Sequence, residues 1–347
     1  MRLLARTRRL KLAAPLRTAF GEVSERELVQ VSLTGADGVT GYGEAAPLEP
    51  YDGVSVARVQ QALERYEHVL AAAEPQRARP GGAALIDACR QADDLPQALA
   101  AIDLALWDRA GKLAGRPVAQ LLTDDPAQAV VVCATLGALD RSTAAEQAAR
   151  AVAAGFRCVK LKVGVGDDAG RVASVRAAAG PDTLLRLDAN GAWTVEQAVS
   201  TIEALASAGL ELVEEPVHGL DGVRAVRERV STRVSIDETA AQHGALGAGV
   251  TDAVCLKIAR CGGISGLLAA ATLVRASGAE VYVGSSLDGP LGVAAAVHAA
   301  VALASRGSLA PCGLATLSMF ASLDDPLLPQ GGELVAPSAP GLGVEPL

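Results

Sequence analysis

Hydrophobic and polar residues alternate with a period of two near the start of the chain. This alternation covers residues 2–12 and 27–33, and a polar stretch at 18–26 separates the two segments. The pattern predicts a β-hairpin with a polar loop. The turn Gly35-Ala36-Asp37-Gly38 then leads into a third predicted strand at residues 39–45.

Helical periodicity replaces this alternation further along the chain. It covers residues 54–73 and 95–113, and the second helix is expected to end near Gly115 and Pro117. Residues 1–125 are therefore predicted to form a small α+β domain.

Short apolar strands alternate with alanine-rich helical segments from about residue 126 onward. The predicted strands are 130–135, 158–163, 184–188, 210–214, 234–237, 253–257, 280–284 and 309–312. Strands separated by helices predict a parallel α/β barrel at 126–315, with its chemistry at the carboxyl ends of the strands. An open doubly wound sheet is the alternative, but no GxGxxG sequence follows the first strand. Residues 316–347 are predicted to form a segment that returns to the first domain.

Charged side chains stand at the ends of successive predicted strands. They are Lys160 and Lys162, Asp188 with Asn190, Glu214, Asp237 with Glu238, and Lys257. Neighbouring members of the series lie about one βα unit apart, so the strands should deliver them to the same rim. Each carboxylate alone is more often a helix cap or a solvated ion, but an ordered series in apolar strands indicates a functional site.

Three of these carboxylates would repel one another without a cation between them. Oxygen ligands from Asp188, Glu214 and Asp237 favour Mg²⁺ over zinc, with Mn²⁺ as an alternative. Asn190 and Glu238 are expected to support the ligands rather than bind the metal. Strand alternation turns Glu238 away from Asp237 and Glu215 away from Glu214, so Glu215 is expected to have a structural role.

Lysine is scarce in this chain and concentrated at the same rim. The 31 basic residues include only five lysines, and Lys160 and Lys162 stand two positions apart on one predicted strand. Lysine can lose its proton, whereas arginine cannot. We expect the metal and the clustered positive charge to lower the lysine pKa values toward neutrality, so that a neutral amine acts as a general base.

Composition excludes several classes of protein. The net charge of −8 offers no basic surface for nucleic acid or an anionic membrane, so the expected partner is a small molecule. The lysines around the expected metal indicate that this molecule is a carboxylate. The arginine-interrupted start does not resemble a signal peptide, and no CxxC pair occurs among the six cysteines. These features predict a cytoplasmic enzyme with reduced cysteines. We also expect a homo-oligomer.

The motifs that carry this chemistry resemble a known family. They are Val159-Lys160-Leu161-Lys162-Val163, Leu187-Asp188-Ala189-Asn190-Gly191, Val213-Glu214-Glu215-Pro216, Ile236-Asp237-Glu238-Thr239 and Leu256-Lys257, with Gly41-Tyr42-Gly43-Glu44 in the first domain. Together they resemble the muconate-lactonizing subgroup of the enolase superfamily. The resemblance implies a modified (β/α)7β TIM-type barrel with an N-terminal α+β capping domain.

The resemblance also implies residue roles. Asp188, Glu214 and Asp237 would bind Mg²⁺, while Lys162 and Lys257 would face opposite sides of the substrate, with Lys160 beside them. In such sites a lysine base works with Mg²⁺, which stabilises the enediolate. The mandelate racemase subgroup carries a catalytic histidine near strand seven, but this chain reads Gly284-Ser285-Ser286-Leu287-Asp288 there.

Several reactions share this machinery within the subgroup. Dipeptide epimerases resembling this chain carry Asp-x-Asp on strand eight, but the corresponding segment here reads Ala310-Pro311-Cys312-Gly313-Leu314. Dehydration to o-succinylbenzoate is therefore the leading expectation. Racemisation or epimerisation of N-acyl amino acids or dipeptides comes second, and muconate-type cycloisomerisation is a further alternative. A binding protein without catalytic activity is the most distant alternative.

Substrate contacts are expected from loops around the barrel mouth. The first domain offers Arg17, Phe20 and Tyr51 as candidates. The end of strand seven offers Ser285, Ser286 and Asp288. Loops that flank a rigid barrel commonly carry such specificity.

Overall fold

A computed structural model describes residues 1–19, 21–72, 82–321 and 323–347. The chain begins with a three-stranded antiparallel sheet, made of β1 (Arg2–Thr18), β2 (Gly21–Thr34) and β3 (Thr40–Ala45). The predicted hairpin is confirmed, but most of the predicted polar loop at 18–26 is strand. Pairing continues to Thr18 opposite Gly21, so the hairpin is longer than the alternation indicated.

Five helices complete the first domain within the described residues. They are α1 (Glu49–Asp52), α2 (Val56–Ala72), α3 (Ala83–Ala92), α4 (Pro96–Ala114) and α5 (Val118–Leu122). The two predicted helices correspond to α2 and α4, whereas α3 was not predicted. Helix α4 starts with Pro96 and ends at Gly115, whose φ of 64° is left-handed, as the sequence signals indicated.

Close packing of α4 on β3 depends on two glycines. A Cβ at Gly41 or Gly43 would overlap the backbone carbonyl oxygens of Ala105 and Ala101, respectively. The Gly41-Tyr42-Gly43 segment therefore lets the helix approach the sheet directly.

The second half of the chain is a curved parallel sheet covered by helices. Its strands run in the order β5 (Ala134–Leu136), β6 (Cys158–Lys162), β7 (Leu184–Asp188), β8 (Leu210–Glu214), β9 (Val234–Ile236), β10 (Ala253–Lys257) and β11 (Glu280–Gly284). The helices are α6 (Arg141–Ala153), α7 (Asp168–Ala179), α8 (Val195–Leu205), α9 (Leu220–Arg227), α10 (Ile264–Ala276) and α11 (Pro290–Ala304). The predicted barrel with an N-terminal cap is thereby confirmed as the fold class.

The eighth predicted strand, at residues 309–312, is reduced to single bridges. Cys312 pairs with Val132, two residues before β5, and Gly313 pairs with Gly284 at the end of β11, so this segment lies between the two edge strands of the seven-stranded sheet. Pro311 has no backbone N–H, which prevents a continuous ladder. The first predicted strand, at 130–135, is split into β4 (Ala129–Val131) and β5.

The C-terminal segment contacts both halves of the chain. Strand β12 (Glu333–Val335) pairs antiparallel with β4. Ala321 donates its backbone N–H to the carbonyl of Lys11, and Leu347 donates to the side chain of Gln30. Within the described residues, no helix combines the length and apolar character needed to cross a membrane.

Candidate active site

The three predicted carboxylate ligands lie side by side at the carboxyl ends of neighbouring strands. Asp188 ends β7, Glu214 ends β8, and Asp237 follows β9 directly. Asp188 stands opposite Glu214 in the parallel register, and all three residues are buried. Carboxyl ends of parallel strands meet at one rim, which is why local strand patterns bring these acids together.

The donor chemistry at this rim fits a hard divalent cation. Ligand atoms of Glu214, Asp237 and Cys255 lie within 4.8 Å of one another, a grouping that includes a thiol and leaves out Asp188. Burial raises the pKa of the Cys255 thiol well above its ordinary value, so it stays protonated and is a poor ligand for Mg²⁺. We therefore favour Asp188 as the third ligand, although its Oδ2 is held by lysines in this structure.

Repulsion among these acids is a second sign of a cation site. Burial, together with the charges of Asp188 and Asp237, raises the pKa of Glu214 to about 7. A divalent cation between the carboxylates would remove this penalty.

Two lysines on β6 face the first two carboxylates. Lys160 Nζ lies 3.0 Å from both Asp188 Oδ2 and Glu214 Oε1. Lys162 Nζ donates to Asp188 Oδ2 at 2.6 Å and to Asn190 Oδ1 at 2.8 Å. Both side chains point to the cavity because they stand two positions apart on one strand.

A third lysine reaches the same centre from β10. Lys257 Nζ donates to Asp237 Oδ2 at 2.6 Å and to the Tyr51 hydroxyl at 2.7 Å. In the seven-stranded sheet, β10 is separated from β6 by three strands, so Lys257 and Lys162 approach the cavity from different sides.

The expected fall of the lysine pKa values toward neutrality is not found for Lys160 and Lys257. Burial disfavours a charged amine, but Asp188 and Glu214 outweigh it and raise the pKa of Lys160 well above its usual range. The pKa of Lys257 is raised as well, because Asp237 outweighs burial. The prediction overlooked that the carboxylates meant for the metal also contact the amines.

Asn190 is joined to Glu238 and to Lys162 by hydrogen bonds. Asn190 Nδ2 donates to Glu238 Oε1 at 2.8 Å, so one amide links Lys162 to Glu238. Burial raises the pKa of Glu238 to about 8, with Asp237 adding to the shift, and its Oε2 is buried without a partner among the described residues. Asn190 has a φ of 44°, a left-handed conformation that asparagine tolerates better than most residues.

Glu215 braces the segment that carries Asp237, in line with the structural role expected from strand alternation. Its Oε2 accepts the backbone N–H of Asp237 at 2.8 Å, and its Oε1 accepts that of Thr239 at 3.0 Å. His218 contacts the same carboxylate at 2.9 Å. His218 is therefore connected to the Asp237 segment only indirectly, by its contact with Glu215.

The predicted substrate residues fall into three groups. Tyr51, Ser285 and Ser286 line the same cavity as the three lysines. Arg17 pairs with Glu22 on the exposed hairpin, and the buried Asp288 accepts hydrogen bonds from Ser285 Oγ and the Ser286 N–H, so neither lines the cavity. Strand pairing of β1 with β2 places Arg17 opposite Glu22, whereas Asp288 lies in the loop after β11, whose geometry a period-two pattern does not fix. Phe20 lies outside the described residues.

Three residues of the site were not predicted. Arg260 donates to the Tyr51 hydroxyl at 2.6 Å and to the Asp237 carbonyl at 3.0 Å. Tyr282 donates to Glu214 Oε2 at 2.8 Å. Arg186 lines the cavity and lies over the Tyr282 ring. Strand alternation could have identified Arg186, two positions before Asp188, and Tyr282 on β11.

Comparison with known proteins agrees with this geometry. Residues 2–123 match the family model "Mandelate racemase / muconate lactonizing enzyme, N-terminal domain", and residues 143–347 match "Enolase C-terminal domain-like". The hydrophobic dipeptide epimerase of Enterococcus faecalis is 32% identical over 311 residues, covering 86% of this chain and 85% of that protein.

Two further comparisons differ in coverage. The o-succinylbenzoate synthase of Thermobifida fusca is 38% identical over 201 residues, which is 54% of this chain and 62% of that protein. The crystal structure of the Enterococcus faecalis V583 dipeptide epimerase, complexed with Mg and the dipeptide L-Leu-L-Tyr, superposes with a TM-score of 0.88 at 29% identity. That match covers 99% of this chain and 98% of the other.

Proposed function

This chain belongs to the enolase superfamily, in the group of mandelate racemase and muconate lactonizing enzyme, and we propose that it removes the proton α to a substrate carboxylate. Members of this superfamily use Mg²⁺, and Asp188, Glu214 and Asp237 would hold it here. The bound cation would stabilise the negative charge that develops on the substrate carboxylate oxygens.

The lysines divide the proton chemistry between two sides of the cavity. Lys162 would take the α-proton, and Lys257 would face the opposite side of the substrate. Asn190 and Tyr51 accept hydrogen bonds from these amines at 2.8 and 2.7 Å, which supports fixed positions for both. Lys160 contacts two of the proposed metal ligands and would orient them.

The favoured reaction is dehydration to o-succinylbenzoate. The observation that carries it is the cavity wall: among its described lining residues, Asp188 is the only carboxylate, whereas Lys160, Lys162, Lys257 and Arg186 are cationic. The ammonium group of a free dipeptide would lie there without a partner, at a cost of several kcal/mol. A substrate with two carboxylates suits such a wall better.

The segment in place of strand eight supports the same choice. Gly313 of this segment lines the cavity together with Thr316 and Met319, which follow it, and none of the three carries a negative charge that could pair with an ammonium group. Dehydration also needs only one lysine to act first as base and then as acid. Lys162 would do this, while Lys257 would stabilise the enediolate electrostatically.

Racemisation or epimerisation is the second candidate. Amines from β6 and β10 on different sides of the cavity are suited to deliver a proton to either face. Similarity to dipeptide epimerases over most of the chain also favours this alternative. An N-succinyl amino acid would avoid the unpaired ammonium.

One competition experiment separates these reactions. The values of kcat/KM should be measured on one Mg²⁺-loaded preparation with the succinyl-bearing cyclohexadiene carboxylate, an N-succinyl amino acid and an Ala-Glu dipeptide. We expect the first substrate to have the highest value. A clear preference for the dipeptide would overturn the proposal, and a preference for the N-succinyl amino acid would establish the second candidate.

A further inference from the structure

A buried arginine of the first domain contacts two separate segments around the cavity. Arg26 on β2 is only 3% exposed. Its Nη1 donates to the Pro47 carbonyl at 2.7 Å and its Nη2 to the Ala46 carbonyl at 3.2 Å. Its Nε donates to the Leu287 carbonyl at 3.3 Å, across the boundary with the barrel.

Both segments continue into the cavity wall. Leu48 and Tyr51 follow Pro47 and line the cavity from the first domain. Ser285, Ser286 and Leu287 line it from the barrel. Arg26 itself is not among the lining residues, so its influence on a substrate has to pass through the backbone that it holds.

The barrel segment has a conformation that needs outside support. Leu287 has a φ of 58°, in the left-handed region that branched and bulky residues seldom adopt. Its carbonyl is the one that accepts from Arg26. The contact thus fixes the strained residue directly.

Two buried acids complete the connection. Glu44 Oε1 accepts the Gly289 backbone N–H at 2.6 Å, which is a second link between the first domain and this segment. Asp288 Oδ2 accepts from Ser285 Oγ at 2.8 Å and from the Ser286 N–H at 3.1 Å. The positive charge of Arg26 acts on both Asp288 and Glu44.

These contacts fix the orientation of Ser285 and Ser286 in the cavity wall. Ser285 Oγ is occupied by Asp288, whereas Ser286 Oγ is buried without a partner among the described residues. Buried hydroxyls are nearly always hydrogen-bonded, so an unpartnered one in a cavity wall is suited to bind a substrate oxygen.

We propose that Arg26 is a positioning residue: it holds residues 285–288 against the first domain so that Ser286 meets the substrate. The inference rests on the proposed function only for the statement that a carboxylate substrate occupies this cavity. Loss of Arg26 would release the loop without touching the lysines or the metal ligands.

Kinetics of Arg26→Gln and Arg26→Lys test this role. A small displacement of a binding group can cost on the order of a hundredfold in kcat/KM. We expect that loss to lie mainly in KM, with kcat reduced by no more than about threefold, because the proton-transferring groups stay in place. Lysine should rescue little, since one amine cannot replace three directed N–H groups.

The matched control is Arg9→Gln. Arg9 lies on the same hairpin and forms an exposed ion pair with Glu27 at 2.7 Å. Its replacement should leave KM and kcat unchanged. If KM and kcat change by the same factors in the Arg9 variant as in the Arg26 variants, the proposal is overturned.

Hydrogen exchange measured by mass spectrometry tests the positioning independently of activity. Arg26→Gln should accelerate exchange at the amides of 286–289 while peptides from β6 to β8 keep their wild-type rates. Unchanged exchange at 286–289, or faster exchange throughout the chain, would contradict a positioning role. If the wild type turns over none of the three substrates, the proposed function fails. The exchange data still show in that case whether Arg26 positions residues 286–289.

Discussion

The Lys257 amine donates a hydrogen bond to the Tyr51 hydroxyl at 2.7 Å, which joins a barrel residue to the first domain. The same hydroxyl lies 2.7 Å from Asp237 Oδ1 and 2.6 Å from Arg260 Nη1. The active site is therefore complete only when the two domains are in contact.

Tyr51→Phe should lower kcat about tenfold to a hundredfold, because a lost hydrogen bond to a charged group costs about 1.5–3 kcal/mol. Steady-state kinetics on the preferred substrate measures this. Tyr66→Phe is the control, since the Tyr66 hydroxyl binds the Asp93 carbonyl inside the first domain. That variant should lose thermal stability and retain kcat.

Removal of divalent cations should abolish turnover, and Asp188→Asn or Glu214→Gln should weaken metal binding by tenfold or more, on the order seen when metal-site residues are altered. Titration with Mn²⁺, monitored by electron paramagnetic resonance, measures metal binding independently of catalytic activity. Glu196→Gln removes an exposed partner of Arg229 and should bind the metal normally. Full turnover after exhaustive chelation would end the metal assignment.

Lys162→Ala and Lys162→Arg should both reduce solvent deuterium exchange at the substrate α-carbon by about 10²–10⁴-fold, because arginine retains charge but offers no usable base. The readout is mass spectrometry of the recovered acid. Lys112→Arg changes a lysine that binds Asp108 and the Thr40 carbonyl, away from the site, and should exchange at the wild-type rate. Near-normal exchange by Lys162→Arg would exclude Lys162 as the base.

Acid should destabilise the fold through His298. Its Nδ1 accepts the Ala119 N–H, its Nε2 contacts the Leu342 carbonyl, and burial lowers its pKa to about 4. A lowered pKa means that the unfolded chain binds the proton first, so this stability is full above pH 6.5 and is lost as the pH falls toward 4.

The expected loss from this group is about 3 kcal/mol between these limits. Urea unfolding of the wild type and of His298→Gln at pH 7.5 and pH 4.5 measures it. The variant should be less stable at pH 7.5, and the gap between the two proteins should shrink at pH 4.5. A gap that does not change with pH would show that His298 does not titrate on unfolding.

The sequence alone determined which charged side chains share one strand face and one rim of the barrel. Period-two alternation brings Lys160 and Lys162 to one face, and the parallel strand ends bring Asp188, Glu214 and Asp237 to one rim. Both rules are local, so they could be applied before any tertiary contact was known. The fold class followed from the same alternation of strands and helices.

Tertiary structure decided which partners the remaining side chains contact. It turned Asp288 toward Ser285 and Arg17 toward Glu22, and it brought Arg26 and Tyr51 of the first domain onto the barrel. It also set the direction of the Lys257 pKa, which depends on the 2.6 Å contact with Asp237. The contacts of Arg26, Tyr51 and Lys257 join residues far apart in the chain, and no period along the sequence encodes where two separately folded surfaces meet or how their charges balance once water is excluded.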